Sequence, residues 1–162
     1  MSGTEAVNDC EACALTQGRI PLPGGLIHER SGWLVEHCVG PLGLGALIVK
    51  PQRHITAVGD LTDTEAEALG PDIRDAFQVA SQLVAAEQTY NCLWSHAGGE
   101  PVHIHYVIQP VTREQMELHQ AHGPRLQTAM FAAGDRPDDD DILAVCDRAR
   151  ILFDEIAVPG NQ

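Results

Sequence analysis

Two histidines, His103 and His105, stand two residues apart in the apolar run VHIHYVIQP. If that run is a strand, its side chains alternate. His103, His105, Val107 and Gln109 then share one face, and Val102, Ile104, Tyr106 and Ile108 share the other. Paired imidazoles can act as ligands, bases or nucleophiles. An exposed strand face carrying two solvated histidines fits the pattern equally well. A second feature is the C-x-x-C pair Cys10 and Cys13. It suits a metal, or it is simply two thiols on an arm. A closed zinc site needs four ligands, and the sequence-local histidine spacing of a zinc finger is absent. His54 follows the run ALIVKPQR and, taken alone, reads as a loop residue.

The elements that must position these residues follow from hydrophobic periodicity. Residues 1–24 are polar and rich in Gly and Pro, so an irregular arm carrying C-x-x-C is expected. LIHER and GWLVEHC read as short strands, GPLGLG as a loop, and ALIVK as a buried central strand ended by Pro51. Thr62 with Glu65 forms a capping box. Helical spacing of Ala66, Leu69, Ile73, Phe77, Ala80 and Val84 predicts a helix from Asp63 to Glu87, kinked or split at Gly70-Pro71. TYNCLW and VHIHYVIQ are two further strands. Residues 112–131 read as partly helical. GDRPDDDD is a turn whose acids lead into a last helix, about Asp139 to Ala157, with acids favourably placed at its N-terminus. Strands interrupted by one long helix imply an α+β fold with a mostly antiparallel five-stranded sheet and additional C-terminal helices.

The chain has 162 residues, enough for one core, and its formal net charge of −13 makes it a poor nonspecific binder of nucleic acid or anionic membrane. A small anion remains compatible with a locally positive pocket. No apolar run approaches the roughly 20 residues a bilayer span needs. The acidic N-terminus lacks a signal-like apolar stretch, and five cysteines with one tight pair suit a reducing compartment. A cytoplasmic protein, with no nucleic-acid or membrane partner, is expected.

Together these pieces resemble the histidine triad superfamily. Its branches include dinucleotide polyphosphate hydrolases, nucleoside phosphoramidases and, more distantly, galactose-1-phosphate uridylyltransferase. The likeness runs from Cys10 to Pro110 through C-x-x-C, then LIVKPQRH, then GDLTD, then GGEPVHIHYVIQP. It divides the chain into an arm at 1–24, a catalytic core at 25–112 and a helical extension at 113–162. The resemblance implies that Cys10, Cys13, His54 and His103 bind a structural zinc. It also implies that His105 attacks the α-phosphorus of a nucleotide ester, anhydride or amide, forming a nucleotidyl-histidine. The partner would be a small nucleotide or phosphorylated substrate, and the assembly a homodimer. Backbone amides near Gly98 and Gly99 would hold phosphoryl oxygens.

The chain departs from the family at several positions. The third triad position is Val107 rather than histidine; the uridylyltransferase branch also lacks histidine there, and Gln109 or His96 could substitute for it. Glu100 stands where Ser or Thr commonly meets phosphate, and its charge opposes a phosphate dianion. Cys38, beside His37, occupies the usual place of a ribose-binding Asp, and Ala46 replaces a central-strand histidine. The leading expectation is a hydrolase or nucleotidyl transferase with a covalent His105 intermediate, and a substrate outside the usual dinucleotide polyphosphates is left open. The alternatives are a catalytically inactive nucleotide-binding or regulatory module and a catalytic metal with His105 as a further ligand or base.

Overall fold

The computed structural model describes residues 10–97 and 100–157. Five strands form one antiparallel sheet: β1 (Leu26–Arg30), β2 (Trp33–His37), β3 (Leu47–Pro51), β4 (Ala86–Ala97) and β5 (Glu100–Thr112), in the order β1-β2-β3-β5-β4. Among the described residues the α-helices are α1 (Glu11–Thr16), α2 (Asp63–Leu83), α3 (Arg113–His119), α4 (Pro124–Ala133) and α5 (Asp139–Ala157). The expected α+β class and antiparallel sheet are present. None of the described helices is long and apolar enough to cross a membrane.

One sheet face carries the main core. Trp33, Val35, Leu47, Val49 and Ile108 meet Ala76, Val79 and Ala80 of α2 and Ile142, Cys146, Ala149, Leu152 and Phe153 of α5. The hairpin joining β1 and β2 turns on Ser31 and Gly32, both at positive φ (49° and 82°), as the favoured two-residue hairpin turns require. Thr62 and Glu65 complete the anticipated capping box. The Arg53 guanidinium, helped by the Thr62 amide, holds the Glu65 carboxyl down to about 2.

Three local expectations differ from the structure. The arm is not wholly irregular, because α1 begins directly after Cys10. Gly70-Pro71 does not divide α2, which runs through both. Both residues are exposed, so the carbonyl that loses its partner to Pro71 can turn to water. The helix also ends at Leu83 rather than Glu87, because 86 onward pairs with β5. Its buried stripe includes Asp72 and Asp75, which share Arg30 at 2.6 and 2.9 Å.

Gly24 fits the arm against α5. Its φ is +76°, and a Cβ there would overlap the Cys146 thiol, which is itself completely buried. Arg150 also reaches the Gly24 and Leu26 carbonyls. Gly24→Ala is therefore expected to destabilise the fold by about 1–3 kcal/mol through overpacking, with backbone strain added. Urea denaturation measures this, and unchanged stability would contradict the packing described.

Candidate metal centre and active site

The opposite sheet face holds the chemistry. Cross-strand pairs Glu36–Ile48, Ile48–Val107, Trp94–His105 and Cys92–Val107 place these residues on a single surface. It also carries His103, Gln109 and Val111 by strand alternation.

Cys10 caps α1 and Cys13 lies in its first turn, so one helical turn brings both thiols together. His54 comes from the loop after β3, and His103 from β5. One donor atom from each of the four residues lies within 4.8 Å of the others. The Cys13 Sγ is 3.4 Å from both His54 Nδ1 and His103 Nδ1. Tetrahedral zinc bound by sulfur and nitrogen separates its ligand atoms by roughly 3.5 Å, so the donor set and spacing fit that ion. His103 Nε2 donates to the Pro51 carbonyl at 2.9 Å, which leaves Nδ1 with its lone pair toward the cluster. Burial lowers the His103 imidazole to about 4, against the Pro51 bond, and so keeps it neutral. Burial, with Cys10 adjacent, pushes the Cys13 thiol up to about 11. A divalent cation reverses that preference, because the thiolate is the ligating form.

His105 is oriented differently. Its Nδ1 donates to the His103 carbonyl at 2.9 Å. Nδ1 therefore carries the proton, and Nε2 keeps a lone pair that no hydrogen bond among the described residues engages. Burial lowers its pKa below the ordinary value, opposed by the His103 bond, and the Lys50 charge lowers it further. The imidazole is thus neutral at pH 7. Trp94 lies beside it at 6.5 Å between ring centroids.

The other expected residues scatter. His37 is enclosed, donating from Nδ1 to the Cys38 carbonyl at 2.8 Å and accepting the Gly45 amide at Nε2 at 3.0 Å. It holds the β2–β3 connection and has no nitrogen left for a ligand. Cys38 packs with Ala46, Ile48, Val107 and Trp94, so it reaches the His105 face, and burial pushes its thiol up to about 11. Gln109 is fully buried and donates from Nε2 to the Leu42 carbonyl at 3.0 Å, under Met130. That burial stands against its taking over the missing third histidine. His96 and Glu100 are exposed near the β4–β5 turn. Gly98 and Gly99 lie outside the described residues.

Periodicity did not expose the Lys50–Glu36 pair. Lys50 is completely buried, its Nζ 2.7 Å from Glu36 Oε1 and donating to the Ala12 carbonyl at 2.9 Å. The cue was present in ALIVK, where one charge ends an otherwise apolar central strand.

This sheet, with α2 and α5 packed on one face, has a fold similar to that of histidine triad proteins of known structure. A zinc-bound histidine triad family protein from Mycobacterium smegmatis matches with a TM-score of 0.65 at 16% identity, over 93% of this chain and 96% of that one. A hypothetical histidine triad nucleotide-binding protein from Sulfolobus tokodaii matches with a TM-score of 0.67 at 14% identity, over 91% and 93% of the two chains. A uridylyltransferase matches with a TM-score of 0.64 at 17% identity, over 93% of this chain and 47% of its own. No protein-family model and no curated protein matches the sequence. At these identities the likeness establishes the fold.

Proposed function

We propose that this chain is a histidine triad enzyme, a nucleotide hydrolase or nucleotidyl transferase acting at an α-phosphorus through a covalent intermediate on His105. The observation that carries this reading is the His105 tautomer. The His103 carbonyl takes the Nδ1 proton, and Nε2 is left unprotonated and without a hydrogen-bond partner among the described residues. Attack by Nε2 forms a P–N bond while the bond to the leaving group breaks, and that group departs with the bonding pair. Water or another acceptor then attacks phosphorus, the P–N bond breaks, and the imidazole regains its lone pair. Backbone around Gly98 and Gly99 is the proposed cradle for the phosphoryl oxygens. The substrate is a small nucleotide, and the active assembly a homodimer.

A zinc ion at Cys10, Cys13, His54 and His103 would supply structure, tying α1 to the sheet. Four protein donors fill a tetrahedral shell and leave no position for substrate. Purified protein is expected to hold near-stoichiometric zinc by elemental analysis. Cys13→Ser is expected to lower both zinc content and melting temperature. Full stability and unchanged metal content in that variant would remove the structural role.

Intact-mass spectrometry after mixing with a panel of nucleotide esters, anhydrides and amides tests the mechanism. A nucleotidyl adduct mapped to His105 is expected. One observation favours a second reading, a nucleotide-binding module without turnover. Val107 is 1% exposed and packed among Cys38, Leu42 and Ile48, so the third triad position offers no polar group to a leaving group. That module would bind nucleotides and yield no adduct from any of them.

A further inference from the structure

The two arm cysteines differ in their access to solvent. Cys10 is half-buried and stands just before α1, whereas Cys13 is 5% exposed in the first turn. Their sulfurs lie within 4.8 Å of each other, with one nitrogen each from His54 and His103 in the same cluster. An outer and an inner thiol therefore stand side by side at the edge of the metal centre. That arrangement supports a second chemistry besides holding a metal. An outer thiol that meets an oxidant finds an inner one with which to condense.

The other cysteines are placed differently. Cys146 is completely buried in the main core, and Cys38 is packed among Leu42, Ala46 and Ile48. Cys92 is half-buried on β4, with its thiol against the Leu93 carbonyl at 3.9 Å. All five thiols are free. The arm that carries Cys10 and Cys13 is tied to the sheet at few polar points. Cys13 Sγ meets His54 and His103, and the Lys50 ammonium donates to the Ala12 carbonyl. Helix α1 has six residues, too few to persist without such ties. His103 also supplies the carbonyl that accepts from His105 Nδ1, so the dithiol touches the residue that orients the nucleophile.

We infer that Cys10 and Cys13 form a peroxide-responsive dithiol, whose oxidation to a disulfide withdraws two of the four donors of the metal site and releases the ion. The inference rests on the zinc set proposed above and is independent of the reaction at His105. The Cys10 sulfur attacks an oxygen of a hydroperoxide, and the O–O bond breaks. An alcohol, or water from hydrogen peroxide, leaves with the thiol proton, which solvent supplies where the sulfur is a thiolate. Cys10 is then a sulfenic acid. The Cys13 sulfur attacks the Cys10 sulfur, an S–S bond forms, the S–O bond breaks, and water leaves with the second proton. Two electrons pass from the thiols to the peroxide. Only the thiolate form ligates a metal, so His54 and His103 remain as two donors where a tetrahedral site needs four.

The full zinc-replete chain, treated with hydrogen peroxide, tests the inference. A chromogenic chelator reports zinc while a thiol reagent counts cysteines. Two thiols are expected to disappear for each zinc released. The tryptic peptide ending at Arg19, which contains both cysteines, is expected to lose about 2 Da, the mass of the two hydrogens given up. Reductant with added zinc is expected to restore thiols and metal together. Cys92→Ser, which removes the other half-buried thiol, is expected to leave all of this unchanged. Circular dichroism is expected to keep its strand signal, since the main core lies on the opposite sheet face. Zinc released with added oxygen on Cys10 and no disulfide overturns the inference. So does zinc released only as the strand signal collapses, or a Cys92→Ser protein that no longer responds. Zinc held through the treatment with both thiols intact overturns the switch and leaves the metal reading standing. Protein that purifies without zinc overturns the metal reading, and the switch with it.

Discussion

The His105→Asn protein is expected to fold, retain its zinc and form no nucleotidyl adduct. Asparagine is near in size, and its side-chain NH2 can still donate to the His103 carbonyl that now takes His105 Nδ1. The variant lacks the ring nitrogen that attacks. Loss of a covalent nucleophile lowers turnover on the order of 10⁴- to 10⁶-fold, because only binding and electrostatic help remain. The His103→Asn comparison makes the result specific. His103 touches both Cys13 and the Pro51 carbonyl, so its replacement is expected to lower metal content and melting temperature before anything else. Adduct mass, zinc content and melting temperature, measured together, separate the two roles. An active, well-folded His105→Asn protein would falsify the covalent mechanism. Equal zinc loss in both variants would instead place His105 among the metal ligands.

Much of this arrangement is legible from residue order alone. The central apolar run became β3, and strand alternation correctly sorted β5 into a core face and a His face. The capping box of Thr62 and Glu65 marked the start of α2, and the acidic run marked α5. What could not be read has a common physical origin. Helix α1 has six residues, too few to persist on local preference, and its place depends on contacts 38 to 90 residues away. Pro71 reads as a break unless one knows that its side of α2 meets solvent. Leu143 is apolar yet 49% exposed on α5, while Ala149 and Phe153 take the inner face. Burial of Gln109 and His37 depends on backbone partners from distant loops. The Lys50–Glu36 pair requires the register between β2 and β3, which no single-strand pattern contains.

Lys50→Met is expected to cost about 3–5 kcal/mol, because it leaves Glu36 charged, enclosed and without its partner. Burial already pushes the Glu36 carboxyl up, and Lys50 opposes that shift. The double variant Lys50→Met/Glu36→Leu is expected to recover most of the loss, since replacing both members of a buried pair with apolar groups is often neutral. Metal affinity is expected to behave differently. In both variants the Ala12 carbonyl loses the ammonium that holds it, and Ala12 lies between Cys10 and Cys13. Zinc competition against a chelator is therefore expected to show weakened affinity in the single and the double variant alike. Urea denaturation of the metal-free proteins supplies the stability comparison. Restoration of metal affinity in the double variant, in step with stability, would show that Lys50 does not position the arm.

The four clustered donors also bear on the order in which the chain assembles. Cys13 meets His54 across 41 residues and His103 across 90. Closing loops of that length carries an entropic cost that grows as about (3/2)RT ln n, and short-range contacts offset little of it. His103 reaches its place only once β5 has paired with β3, and Lys50 only once β3 has paired with β2. The arm is therefore expected to dock after the sheet, as a late event whose rate would depend on free metal concentration. In stopped-flow refolding, core fluorescence from the buried Trp33 should precede metal uptake, and chelator should remove the second phase while leaving the first unchanged.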